Sequence, residues 1–418
     1  MKHLISLALA VISFQLGAQP TPAAARAASI ESTKNAIQAE CEVAAGGDWQ
    51  LWFDNLKAYR TVIKPMVGYA IDNPWKSKPN PKNTYAIMRW PSDPNQYVHA
   101  NTAIPLGFVE DQDPAHWVKR MPLLSIAQFV QSGGRIPLPF LDDNDPVHWA
   151  KQIPMIRIAV MMKSWLAERG IDLILVPVPV KAEIYGDKLV ADQTLVPANK
   201  NVIPHMRRRY LEFLNAGIEL IDLYPLFMKE RQQLDLFMAA DTHWMQKPQR
   251  IAAEQIAARL QRYPWVQAAQ KTPLRYAETV EKDRPTVAMF WDYLTTEEQT
   301  ALMPYRIETI KKLVAKGGGD ALVESPNSPV LLAGDSYITY DYPLQAGIVG
   351  LLAQQLNQPV SIQRVAGALD GIFRDMFRDP AILKGKKVVI WLLNDEPVGR
   401  GDMWPKNFKL PHRPAITK

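Results

Sequence analysis

Two short segments carry the side chains from which acyl-transfer chemistry is built. ADTHW (240–244) places Asp241 and His243 two residues apart. In an extended or turn segment, positions i and i+2 point the same way. A carboxylate so placed holds an imidazole by one ring N–H and leaves the other nitrogen to take a proton from a hydroxyl. LLAGDSY (331–337) offers that hydroxyl, because Ser336 stands just past an apolar run and Gly334 permits a tight turn. The Ser336 N–H can begin a helix there and face an oxyanion. Two further residues stand at expected strand ends. Gly367 in VAGALDG (365–371) can turn its N–H to the same cleft, and Asn394 in WLLNDEP (391–397) can donate its side-chain amide to developing negative charge. Each signal has a structural alternative. Gly-Asp-Ser is a common turn, Asp-x-His also fits a satisfied buried histidine, and a strand-end Asn is a frequent turn former.

The His-Trp pair occurs three times, as His116-Trp117, His148-Trp149 and His243-Trp244. The first two lie in a weak repeat, DQDPAHWVKRMPLLSIA (111–127) and DNDPVHWAKQIPMIRIA (143–159). Asp before Pro is a helix-start signal, so these two histidines fall in first helical turns. Only the third copy has an aspartate at pairing distance.

The elements that must position these residues follow from periodicity. Buried strands are expected at 172–179, 218–223, 329–336, 360–367 and 386–395, each a short apolar run. Helices are expected at 151–169, 202–216, 249–261, 343–356 and 368–378. Alternating buried strands and helices make an α/β/α sandwich around a mainly parallel sheet, with active residues at the C-terminal strand ends. The long, Pro-rich stretch 265–328 reads as an excursion over the site. Residues 29–149 read as an irregular N-terminal elaboration of short helices and long loops, residues 150–400 as the catalytic domain and 401–418 as a tail.

Residues 1–28 read as a secretory signal: Lys2 and His3, an apolar stretch from Leu4 to Leu16, then small residues with cleavage options at Ala18 or Ala23-Ala24-Ala25. No later segment is long and apolar enough for a membrane span. The single cysteine, Cys41, forms no internal disulfide, and an exported chain without disulfides fits a bacterial periplasm. The net charge of +6 is compatible with an anionic partner without requiring one. No basic stripe or RNA-binding signature points to nucleic acid. No His, Cys and carboxylate set at metal-ligand spacing is present, and no cofactor is implied.

Gly-Asp-Ser, a following strand-end Gly, a strand-end Asn-Asp and an Asp-x-His-Trp segment resemble the blocks of SGNH hydrolases. Here the Asp-His block precedes the serine. That circularly permuted order, with VPVPVKAEIYGDKL (176–189) upstream, resembles the AlgJ/AlgX-like alginate O-acetyltransferase family over roughly residues 150–396. The resemblance implies Ser336 as nucleophile, His243 as base and Asp241 as its orienter, with the Ser336 N–H, Gly367 and Asn394 forming an oxyanion hole. It implies acetyl transfer to exopolysaccharide hydroxyls in the periplasm, with a membrane O-acyltransferase as acetyl supplier. A carbohydrate acetylesterase with the same triad and a non-catalytic polysaccharide-binding scaffold are the alternatives.

Overall fold

The protein was described from a computed structural model of the 418-residue chain. The structure describes residues 20–44, 64–66, 85–90, 93–100, 154–179, 181–185, 204–233, 236–238, 243–285, 307–341, 345–364 and 371–394. Asp241, Gly367, His116 and His148, all singled out above, lie outside the described residues.

Among the described residues of the N-terminal region, one helix and three strands are present. Helix α1 (Pro22–Ala44) is Ala-rich and of high helix propensity. β1 (Lys64–Met66), β2 (Tyr85–Trp90) and β3 (Asp93–Ala100) form a three-stranded antiparallel sheet. Tyr85, Ile87, Tyr97 and Val98 supply the strand propensity that the surrounding prolines obscure. The expected boundary at residue 28 falls inside α1. That helix is fixed to the rest of the protein: Arg26 bonds the carboxylate of Asp172, Ile37 is fully buried, and Glu40 accepts from Arg207 at 2.8 Å.

From residue 154 one or more helices separate successive strands of the main sheet. The elements are α2 (Pro154–Ala167), β4 (Asp172–Val178), α3 (Lys181–Ile184), α4 (Pro204–Asn215), β5 (Glu219–Leu220), α5 (Tyr224–Glu230), α6 (Gln246–Leu260) and α7 (Pro264–Gln270). They continue with β6 (Tyr276–Pro285), β7 (Ile307–Ala315), β8 (Val330–Gly334), α8 (Ser336–Thr339), α9 (Ile348–Leu356), β9 (Ser361–Arg364), α10 (Gly371–Arg378) and β10 (Val388–Asn394).

Five strands form one parallel sheet in the order β5-β4-β10-β8-β9. β8 is buried throughout, and β10 is buried from Val388 to Leu393. Burial of successive residues on a strand means that both faces are covered by helices. On one face α2 meets α10, where the rings of Trp165 and Phe377 pack edge to face at 4.7 Å. The chain order explains where a cleft opens. β4 leads outward to β5, β8 leads outward to β9 in the other direction, and the last strand, β10, fills the space between. A parallel sheet whose connections diverge in this way leaves a crevice at the C-terminal ends of the strands on either side of the divergence. Those ends are Val178, Asn394 and Gly334.

The excursion between the second and third sheet strands contains an antiparallel ribbon, β6 with β7, rather than structureless chain. Gln246, at the start of α6, fastens this ribbon. Its amide nitrogen donates to the carbonyls of Lys311 (2.7 Å) and Ala346 (2.9 Å), and its oxygen accepts from the Lys311 N–H.

Candidate active site

The serine turn follows from a missing side chain. A Cβ on Gly334 would lie 2.0 Å from the carbonyl oxygen of Leu392 on β10, so only glycine lets β8 end this close to its neighbour. Asp335 then caps α8: one carboxylate oxygen accepts from the Tyr337 N–H at 2.9 Å. The other oxygen accepts from the backbone N–H of Asn394 at 3.0 Å. Ser336 is the first residue of α8 and is exposed. Burial pushes the Asp335 carboxyl above its usual range, while the N–H groups of Tyr337 and Asn394 and the nearby His243 act in the opposite direction.

The histidine arrives from a separate segment. Residues 236–238 and 243–245 run antiparallel: Phe237 bridges Trp244, the Met238 N–H donates to the His243 carbonyl at 3.1 Å, and the Met245 N–H donates to the Leu236 carbonyl at 2.9 Å. Trp244 is fully buried, and its indole N–H donates to the Tyr337 carbonyl at 3.2 Å. Alternation along an extended segment then turns the preceding side chain, His243, the other way. The imidazole lies flat on Tyr340, with centroids 4.6 Å apart and planes 6° from parallel, and 5.3 Å from the Tyr337 ring. Tyr340 is one helical turn beyond Ser336, and its N–H donates to the Ser336 carbonyl at 3.1 Å. His243 thus stands on the serine's own turn.

A third group supports the histidine segment from β4. Lys181, buried just past the end of that strand, donates its ammonium to the Met238 carbonyl. The loop after the serine turn is held from α6. Gln249, fully buried, donates to the Asp341 carboxylate at 3.1 Å and accepts the Ile348 N–H at 2.8 Å. This loop carries Asp341 at φ 63° and Gln345 at φ 51°, left-handed conformations that non-glycine residues adopt at a cost.

Of the five residues marked by sequence, the structure brings three into one neighbourhood: Ser336, His243 and Asn394. Asp335, Tyr337, Tyr340 and Lys181 complete that neighbourhood and were not singled out from sequence. A readable trace exists for the tyrosines, because Tyr337 and Tyr340 lie one and four residues past the serine, and a helix places the second over its first turn. Among the described residues, no group of three or more His, Cys, Asp or Glu is placed to hold a metal ion.

Comparison with known proteins places this arrangement in a context. Residues 143–395, more than half of the chain, match the family described as SGNH hydrolase-like domain, acetyltransferase AlgX. Over 208 residues the chain is 27% identical to a probable alginate O-acetylase AlgJ of Pseudomonas fluorescens, an overlap of 48% of this chain and 49% of that protein. The chain spans about half the length of the curated relatives it matches. Among solved structures, the O-acetyltransferase domain of Pseudomonas putida AlgJ overlays with a TM-score of 0.46 at 18% identity, covering 61% of this chain and 84% of that one. AlgX of Pseudomonas aeruginosa overlays with a TM-score of 0.41 at 17% identity, covering 58% and 60%.

Proposed function

The chain belongs to the family of the SGNH hydrolase-like acetyltransferase AlgX, and on that premise we propose that it is an exported O-acetyltransferase acting on exopolysaccharide hydroxyls through an acetyl-Ser336 intermediate. The observation that carries the reading is the stack of His243 on Tyr340, which sets an imidazole on the turn that begins with Ser336.

In the proposed reaction His243 takes the Ser336 hydroxyl proton as Oγ attacks the acetyl carbonyl of the donor ester. The Ser336 N–H, Gly367 and the Asn394 amide stabilise the resulting oxyanion, and Asp241 orients the imidazole. Collapse expels the donor alcohol, which receives the proton from His243, and leaves acetyl-Ser336. A sugar hydroxyl then gives its proton to His243 and attacks the acetyl carbon. Ser336 leaves with the proton returned, and the sugar ester departs.

The acetyl supplier is proposed to be a membrane O-acyltransferase, and the compartment the periplasm. Among the described residues no helix is long and apolar enough to cross a membrane. Removal of the signal is proposed after Ala18, because the alternative at Ala25 would cut α1. Hydrolysis shares the acetyl-enzyme and differs only in the acceptor, so partition tests the reading. With p-nitrophenyl acetate as donor, O-acetylated oligosaccharide is expected to accumulate in place of free acetate when an oligosaccharide acceptor is added. Release of acetate alone, at every acceptor concentration, replaces the transferase with an esterase.

A further inference from the structure

We propose that Asp335 is a positioning residue that fixes Asn394 against the Ser336 turn, a role that rests on the acyl-transfer reading above. β8 and β10 are in register only as far as the Gly334–Leu392 pair. Beyond it the β8 backbone turns away into α8 and offers the Asn394 N–H no carbonyl on that side, while β10 stays in register with β4 to the Asn394–Val178 pair. The Asp335 carboxylate supplies the missing acceptor at 3.0 Å. Its second oxygen holds the Tyr337 N–H at 2.9 Å, inside the helix that begins with Ser336. One carboxylate therefore ties the strand end bearing the amide donor to the turn bearing the nucleophile.

The chemistry of the group suits this task and few others. An ionised carboxylate accepts on both oxygens, whereas a carboxamide has one acceptor oxygen and a hydroxyl is too short to span both partners. Burial opposes ionisation here, and the two N–H donors favour it. The carboxylate accepts from two backbone N–H groups and lies near His243, so its effect on reaction passes through Asn394, the Ser336 turn and the charge it presents to the imidazole. Donors act on a developing oxyanion from hydrogen-bond distance of the position it will occupy, and a misplacement of about 1 Å can cost on the order of 100-fold in rate.

The test compares wild type, Asp335→Ser, Asp335→Asn and Ser336→Ala by melting temperature, Ser336 acetylation and steady-state hydrolysis of p-nitrophenyl acetate. Serine still caps α8 through its hydroxyl but leaves the Asn394 N–H without its acceptor, so Asp335→Ser is expected to fold and to melt a few degrees below wild type. Its kcat is expected to fall about 100-fold, as for a misplaced reacting group, with KM within about twofold, since ground-state binding is untouched. Asp335→Asn keeps the shape and one acceptor, and the same loss in kcat at unchanged KM is expected. A folded Asp335→Ser with wild-type kcat, while wild type acetylates on Ser336, overturns this role alone and leaves a helix cap. A wild type that never acetylates on Ser336 overturns both this role and the functional reading.

Discussion

The indole N–H of Trp244 donates to the main-chain carbonyl of Tyr337 at 3.2 Å, and the two rings lie 5.5 Å apart. This contact joins the residue after the histidine to the residue after the serine. The His-Trp pair is therefore a unit in which the tryptophan anchors the segment and the histidine lies on Tyr340.

Trp244→Phe keeps most of the apolar volume and removes the donor. The buried carbonyl of Tyr337 loses that partner, at a cost of about 1–3 kcal/mol. Trp244→Ala adds a cavity and is expected to cost about 3–5 kcal/mol. Denaturant titration should rank wild type above Phe above Ala, and Ser336 acetylation should slow in the same order.

Gly334→Ala is the smallest change expected to disturb the serine turn. Its methyl would lie 2.0 Å from a backbone oxygen and 2.8 Å from Ile338 Cγ2, so the strand end must move. Overpacking of this kind costs about 1–3 kcal/mol. The more informative readout is a fall in acetylation rate larger than that of Ala substitutions at other positions that lower the melting temperature by the same amount.

The residue types of the site were legible in the sequence, and their assembly only in part. β4, β8 and β10 were readable because a strand covered on both faces is a continuous apolar run, as in VLLAG and VVIWLLN. Insertion of β10 between β4 and β8 is decided by long-range pairing and leaves no local mark. The helix expected from residue 343 begins at Ile348, because the preceding loop takes left-handed turns at Asp341 and Gln345 without a glycine to announce them. β5 shrinks to Glu219–Leu220, and of the expected 360–367 strand β9 shows Ser361–Arg364, with residues 365–367 outside the described residues. Ser336 and His243 stood out by type and spacing. Asp335 and Lys181 act through backbone groups distant in sequence, Asn394 and Met238, and so became visible only in the fold.

The β6–β7 ribbon is tied to α6 by an ion pair with a definite pH signature. Glu278 accepts from Arg250 at 2.7 Å and lies 3.8 Å from the Lys311 ammonium. Burial raises the carboxyl, but the Arg250 hydrogen bond and charge, with Lys311, outweigh it and hold Glu278 below its ordinary value. A depressed folded pKa gives stability that is present above the unfolded carboxylate value and lost as pH falls through the folded one. The protection of β6 amides, taken relative to their intrinsic exchange at each pH, should therefore fall on acidification through and below the ordinary carboxylate range. Glu278→Gln should show the lower protection throughout, without that pH step.

Helix α1 is expected to belong to the mature protein. A chain beginning at residue 29 lacks Arg26 and the first turns of α1, and it should melt below a chain beginning at residue 19. The lost pair with Asp172 is partly exposed and accounts for about 1 kcal/mol or less, with lost helix packing adding to it. On the proposed export, N-terminal sequencing of the mature protein should read a start before Pro22; a start at Arg26 or later would contradict the placement of α1.

The most direct measurement is intact-protein and peptide mass spectrometry after brief exposure to p-nitrophenyl acetate, on wild type, Ser336→Ala and His243→Ala. A single acetyl group on the peptide containing Ser336, absent from Ser336→Ala and formed far more slowly in His243→Ala, is the predicted result. Equal labelling of all three proteins, or an acetyl group elsewhere on the chain, would contradict the assignment of Ser336 and His243 as nucleophile and base.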